Sequence, residues 1–150
     1  MNNFVKRTIS GIGFAAIMLA AFLTNKFIFG AVMLFALIVM MWEFLRMTCG
    51  KEYRYSQILS IVAGVTLFTL VYLYRGFNFP GRLVILAFVP VFILMINSLY
   101  VKDKSRFNKF ANLYTAIIYI AVPWSVLNFA AFSAEGNFNG MLLLCFFAII

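Results

Sequence analysis

An all-α, polytopic transmembrane helix bundle of about six spans is the fold class the sequence predicts, and three observations predict it. Apolar residues make up 65% of the chain and charged residues 11%, with a mean hydropathy of +1.03, whereas soluble domains run near half apolar and a quarter charged. The charge-free runs approach the roughly 20 residues that a helix needs to cross a bilayer. The 12 Lys and Arg fall singly or in small groups between those runs, as orientation signals do. A soluble fold of 150 residues cannot hide so much apolar surface in one core, so lipid has to serve as a second apolar solvent.

A charge at a helix centre costs about 2.5 to 3.5 kcal/mol on insertion scales, so the gaps between charges locate the spans. The first, over about 8–25, is an 18-residue run from Thr8 to Asn25. Lys6 and Arg7 precede it as in a signal peptide, but no small-x-small pair follows near Leu19 to Asn25, so it reads as a retained anchor. The second, about 27–45, opens on a 16-residue run from Phe27 to Trp42. The third, about 56–74, lies inside a 20-residue gap, and the fourth, about 83–101, fills a 19-residue one. The fifth, about 111–132, lies in a 25-residue run from Phe110 to Ala134. The sixth, 141–150, is dense and apolar but rises only about 15 Å as helix, half a hydrocarbon core, and reads as truncated.

Alternate connections carry unequal charge. With the N-terminus inside, Lys6, Arg7, Arg46, Lys51, Arg54, Lys102, Lys104, Arg106 and Lys109 are cytoplasmic, leaving Lys26, Arg75 and Arg82 outside. Nine against three puts the N-terminus in the cytoplasm, and the sixth span then ends on the cytoplasmic side. Net charge is +8, yet no continuous basic stripe interleaved with stacking aromatics forms, so nucleic-acid binding is not expected.

Within the spans, Gly11 with Ala15 and Ser60 with Gly64 have the four-residue spacing that lets helices approach in lipid. In the fifth span Tyr114, Ile118, Ala121, Ser125 and Asn128 fall on one face of a straight helix and are expected to meet protein. Pro123 in that span and Pro90 in the fourth are expected to kink their helices. Cys49, in a predicted cytoplasmic loop, and Cys145, in the sixth span, read as structural thiols. Glu43, at the cytoplasmic end of the second span in Met41-Trp42-Glu43-Phe44-Leu45-Arg46, is the polar residue of most interest. Ionisable groups at that depth are functional candidates, although Arg46 is a helical neighbour able to pair with it. The absence of histidine excludes imidazole chemistry. Glu52, Asp103 and Glu135 are isolated, and neither a phosphate loop nor a nucleophile elbow occurs, so no catalytic or metal-ligating set is visible.

In order and spacing the chain resembles the N-terminal half of the phosphatidate cytidylyltransferase family, the CDP-diacylglycerol synthases of bacterial type. Lys6-Arg7-Thr8-Ile9-Ser10-Gly11 resembles the basic opening of that family, and Trp42-Glu43-Phe44 its Trp-Glu-aromatic element. Tyr119-Ile120-Ala121-Val122-Pro123-Trp124-Ser125-Val126-Leu127 resembles a proline-containing family segment. The loop ending in Gly140, followed by Met141 to Ile150, resembles the approach to a Trp-x-x-Asp-x-Gly-Ala-Tyr-like element. The resemblance implies an enzyme of the bacterial inner membrane joining CTP to phosphatidate, giving CDP-diacylglycerol and pyrophosphate with Mg²⁺. The family's metal and nucleotide carboxylates lie in its C-terminal half, so none is carried onto these residues, which are expected to be catalytically silent alone. Lys6 and Arg7 are then candidates for attracting phosphatidate at head-group depth, or merely set topology, and Glu43 is a candidate for a role near substrate. Subunit contacts, as in a homodimer, fit this reading. The rival is a non-enzymatic membrane protein such as a transporter subunit or assembly factor, which mid-span charges would favour; the spans carry none.

Overall fold

The computed structural model describes residues 3–51, 53–100 and 104–149, with the side chains at 3, 4, 6, 7, 104–107, 146 and 147 outside the description. Among the described residues seven α-helices follow one another: α1 (Asn3–Leu23), α2 (Lys26–Cys49), α3 (Arg54–Gly76), α4 (Phe88–Leu99), α5 (Lys104–Ala116), α6 (Val122–Ala131) and α7 (Gly140–Ile149). A 3₁₀ segment, Gly81–Ala87, leads into α4, and a wide π turn, Ile117–Ala121, joins α5 to α6. Among the described residues the only β pairing is one bridge between Phe132 and Phe138. The fold is all-α, as the charge spacing predicts.

Among the described residues four helical stretches are long and apolar enough to cross a membrane: Lys26–Cys49, Arg54–Gly76, Gly81–Leu99 and Asn108–Ala131. The expected first span holds a shorter apolar helix, Thr8–Leu23, and the expected sixth is the ten-residue α7. Helices α2 and α5 run further than the charge-free runs, because Arg46 and Lys109 are accommodated in helical turns beyond the apolar stretch. Cys49 is therefore the last residue of α2, not a loop residue, and is buried with its thiol 3.5 Å from the Lys109 carbonyl.

Helix α3 packs against α2, α4, α5 and α6 and is the hub of the bundle, while α1 lies against α2 and α7. Small residues let the hub be approached closely: Ser60, Ala63 and Gly64 are buried, and a Cβ on Gly64 would strike Met41 and come within 3.1 Å of the Ala121 Cβ. The Ser60 and Gly64 pair thus makes the helix contact its spacing suggests. Gly11 does not, since a Cβ there would meet nothing within 4 Å. Helix α2 buries Phe29, Met33, Leu37, Met41 and Leu45 along a row of every fourth residue, the ridge that packs into a neighbour's groove. Outward-facing positions are just as apolar: Phe35 is 69% exposed and Ile12 64%, a surface suited to lipid and not to water.

The proline segments depart from a simple kink. Pro123 has no N–H and its ring clashes with the carbonyl four residues back. The preceding turn widens, and the Val122 N–H bonds the Ile117 carbonyl five residues back. A π turn inserts one residue into the helical phase. Upstream of it Phe110, Leu113, Ala116 and Ile117 are buried and Tyr114 packs half-buried against the core as expected, whereas Ile118 is 66% exposed. Downstream, Ala121, Ser125 and Asn128 are buried as expected. Pro90, in the first turn of α4, is preceded by the tighter 3₁₀ turns of Gly81–Ala87, again avoiding the carbonyl its ring would strike.

Candidate functional site

The two ends of the bundle treat their cations differently. At the end where α2 begins, Phe29, Tyr72, Phe132 and Phe138 form an aromatic cluster, tied down by the Tyr72 hydroxyl donating to the Lys26 carbonyl at 2.7 Å. Lys26 Nζ lies 4.4 Å from the Phe77 ring centroid. The Arg75 guanidinium sits 4.7 Å over Phe129 and donates to the Phe132 carbonyl at 3.3 Å. These cations are built into the packing, held by ring faces and carbonyls.

At the opposite end, where α2 turns into α3, the cations surround open space. Arg46, Lys51 and Arg54 line a cavity of about 430 Å³ together with Trp42, Gly50, Gln57 and Ile58. The turn is held by local bonds: the Gly50 N–H donates to the Arg46 carbonyl at 3.2 Å and Gln57 Nε2 to the Gly50 carbonyl at 3.1 Å. Gly50 has φ +65, the left-handed region that glycine enters without a Cβ penalty. Helix α3 starts at the cavity, so the positive end of its dipole adds to the three side-chain charges. Its first turns are fixed from outside, Asn97 Nδ2 of α4 donating to Ser56 Oγ at 2.9 Å and Ser60 Oγ to the Leu113 carbonyl of α5 at 3.0 Å. An electropositive, partly apolar cavity of this kind suits a phosphate-bearing ligand.

Of the sequence-predicted site residues, Glu43 is the one whose side chain is described, and it does not line the cavity. Glu43 is exposed on α2 and, among the described residues, forms no ion pair with Arg46, which lines the cavity instead. Its neighbours in the Trp-Glu-aromatic element divide, Trp42 lining the cavity and Phe44 packing against the core. The side chains of Lys6 and Arg7, in the first turns of α1, lie outside the described residues. From the sequence Lys51 and Arg54 stand out only as orientation signals, and Arg46 as one of those and as a possible partner of Glu43. Three cations within nine residues of one helical turnaround, next to a tryptophan, were the signal for the cavity.

The described residues do not fit the Mg²⁺ that the family resemblance implies. A hard dication needs converging oxygen ligands, whereas the cavity presents cations and no described carboxylate. Among the described residues no three His, Cys, Asp or Glu gather to hold a metal. Glu43 lies fourteen residues, about 21 Å of helix rise, along α2 from Phe29, and Phe29 packs on the Phe132–Phe138 loop that carries Glu135. No step is therefore assigned to the ion.

No curated protein and no solved structure matches the chain significantly. The family model for the cytidylyltransferase family matches residues 5–150, a stretch containing the Trp42-Glu43-Phe44 element, the π turn before Pro123 and the basic cavity together. Given a match over nearly its whole length, this chain belongs to the cytidylyltransferase family.

Proposed function

We propose that these residues form the membrane scaffold and lipid-access portion of a phosphatidate cytidylyltransferase of the bacterial inner membrane, with phosphatidate and CTP as substrates and CDP-diacylglycerol and pyrophosphate as products. The family match over residues 5–150 carries the reading, and it favours an enzyme over a transporter subunit. The cavity supports it. Phosphatidate presents a phosphate at the membrane surface, the depth of an electropositive pocket at the end of the spans, and CTP would approach from the same side. The nine-to-three charge count supports that end being cytoplasmic. Transfer to the α-phosphorus of CTP needs the triphosphate's charge neutralised; the described residues offer Arg46, Lys51 and Arg54 for orienting phosphate oxygens and no nucleophile of their own, the attacking oxygen belonging to phosphatidate.

Depletion of the encoded protein tests the reading in cells. Membrane phosphatidate is expected to rise several-fold as CDP-diacylglycerol falls. An unchanged ratio of the two lipids after complete depletion would overturn it.

A further inference from the structure

We propose that the cavity between α2 and α3 is a binding site for the headgroup of an anionic phospholipid, held by Arg46, Lys51 and Arg54, with its acyl chains running down past Trp42 and Ile58. Three observations carry this assignment. First, among the described residues none of the three cations has a hydrogen-bond or ion-pair partner. At the other end Lys26 and Arg75 are spent on ring faces and carbonyls and Arg82 stands exposed by itself, so only at this turn do three such cations line one cavity. Second, the volume of about 430 Å³ lies in the range of small-molecule sites, about 300 to 1,000 Å³, more room than a lone ion requires. Third, the cavity is continuous with lipid-facing rows. Phe35, Val39 and Trp42 follow one another at i, i+4 and i+7 on the outside of α2, and Ile58 and Val62 at i and i+4 on α3, all of them exposed. A ligand seated on the cations therefore has two apolar tracks leading toward the bilayer interior, and a soluble phosphate compound has no use for them.

Guanidinium groups pair with phosphate oxygens in a bidentate fork, and Lys51 adds a point charge. Trp42 has the amphipathic ring that favours the interface, placing the charged and apolar parts of the site at the depth where a lipid phosphate resides. The site stands or falls independently of catalysis: it needs the membrane placement, and it holds whether or not the encoded protein makes CDP-diacylglycerol.

Trp42 supplies the test, since Trp124 is the only other tryptophan among these 150 residues and any tryptophan the encoded protein carries outside them is replaced by Phe as well. In a Trp124→Phe background the encoded protein is placed in phosphatidylcholine nanodiscs containing a small fixed fraction of bromine-labelled phosphatidate or, in parallel, bromine-labelled phosphatidylcholine. Bound phosphatidate is expected to quench Trp42 fluorescence well beyond the level given by phosphatidylcholine. The Lys51→Gln variant, altered only in the turn, is expected to lower that preference about five-fold, the factor for one surface cation near lipid. The Arg46→Gln/Lys51→Gln/Arg54→Gln variant should abolish it, while Arg82→Gln, at the other end, should keep it. Equal quenching by the two lipids, or a preference retained in both cavity variants, overturns the assignment. Abolition of the preference by millimolar inorganic pyrophosphate also overturns it, in favour of a soluble phosphate ligand. Loss of CTP-dependent activity with the preference intact leaves the lipid site standing and removes only the enzymatic reading.

Discussion

Gly140 shows how a single residue fixes the path of the chain. Helix α7 starts against the end of α1, and a Cβ on Gly140 would collide with the Phe22 backbone carbonyl, which cannot swing aside as a side chain can. Gly140→Val is expected to push α7 off α1 and lower stability by about 1 to 3 kcal/mol, the usual cost of overpacking, read as a drop in the thermal midpoint of the detergent-solubilised protein. An unchanged midpoint would mean that α7 is not held there. Trp124 gives the contrasting case, because its Nε1 donates to the Met33 carbonyl at 2.8 Å and its ring packs against the core. Trp124→Phe keeps most of the ring, so only the hydrogen bond is lost. Within membranes such bonds average about 0.6 kcal/mol, and a correspondingly small shift of the midpoint is expected; a large one would assign the ring itself a structural role. Such residue-scale facts were only partly visible beforehand. Ser60 and Gly64 announced their contact by spacing, whereas Gly11 and Ala15, equally well spaced, did not predict one, because spacing says nothing about which face meets a partner.

At the scale of the element, the instructive case is the α5–π–α6 segment. Sequence periodicity assumes a constant 3.6 residues per turn, and it placed Tyr114 and Ile118 on the protein-facing side with Ala121, Ser125 and Asn128. Pro123 was legible as a disturbance, but a proline can be relieved by bending or by widening, and periodicity cannot tell which. Widening shifts the upstream face by one residue, leaving Ile117 buried and Ile118 exposed. Ile117→Ala is therefore expected to destabilise the protein by about 2 kcal/mol or more, in the range for truncating buried isoleucine, while Ile118→Ala stays within about 0.5 kcal/mol, as for surface positions. Unfolding of the two variants in denaturant checks this, and the reverse order would restore a straight helix. Element positions, by contrast, were well marked, because charges are excluded from span centres by energy and so punctuate the chain. Their ends were marked less well. Helices α2 and α5 continue past Glu43 and Lys109, where aqueous or headgroup surroundings no longer penalise charge.

For the whole molecule, the asymmetry between a packed end and an open, basic end links fold to function. The charge count legible in the sequence concerns only which connections are basic; the cluster of Arg46, Lys51 and Arg54 beside Trp42 was a local signal, but that they line a common cavity follows from the turn at Gly50 and from how α4 and α5 brace α3, which the cluster does not encode. Orientation is directly accessible. In a background lacking Cys49 and Cys145, Lys51→Cys is expected to resist a membrane-impermeant thiol reagent added to intact cells, while Ser133→Cys reacts. The opposite pattern would invert the topology and place the cavity away from CTP. The central claim, that this member of the cytidylyltransferase family acts on phosphatidate, is tested most directly by following labelled CTP into lipid with membranes containing the encoded protein. Label is expected to enter a chloroform-soluble CDP-diacylglycerol when phosphatidate is supplied and not when diacylglycerol replaces it, with release of pyrophosphate in equal amount. Folded protein in membranes that yields no CDP-lipid from CTP and phosphatidate, or yields it equally from diacylglycerol, would contradict the claim.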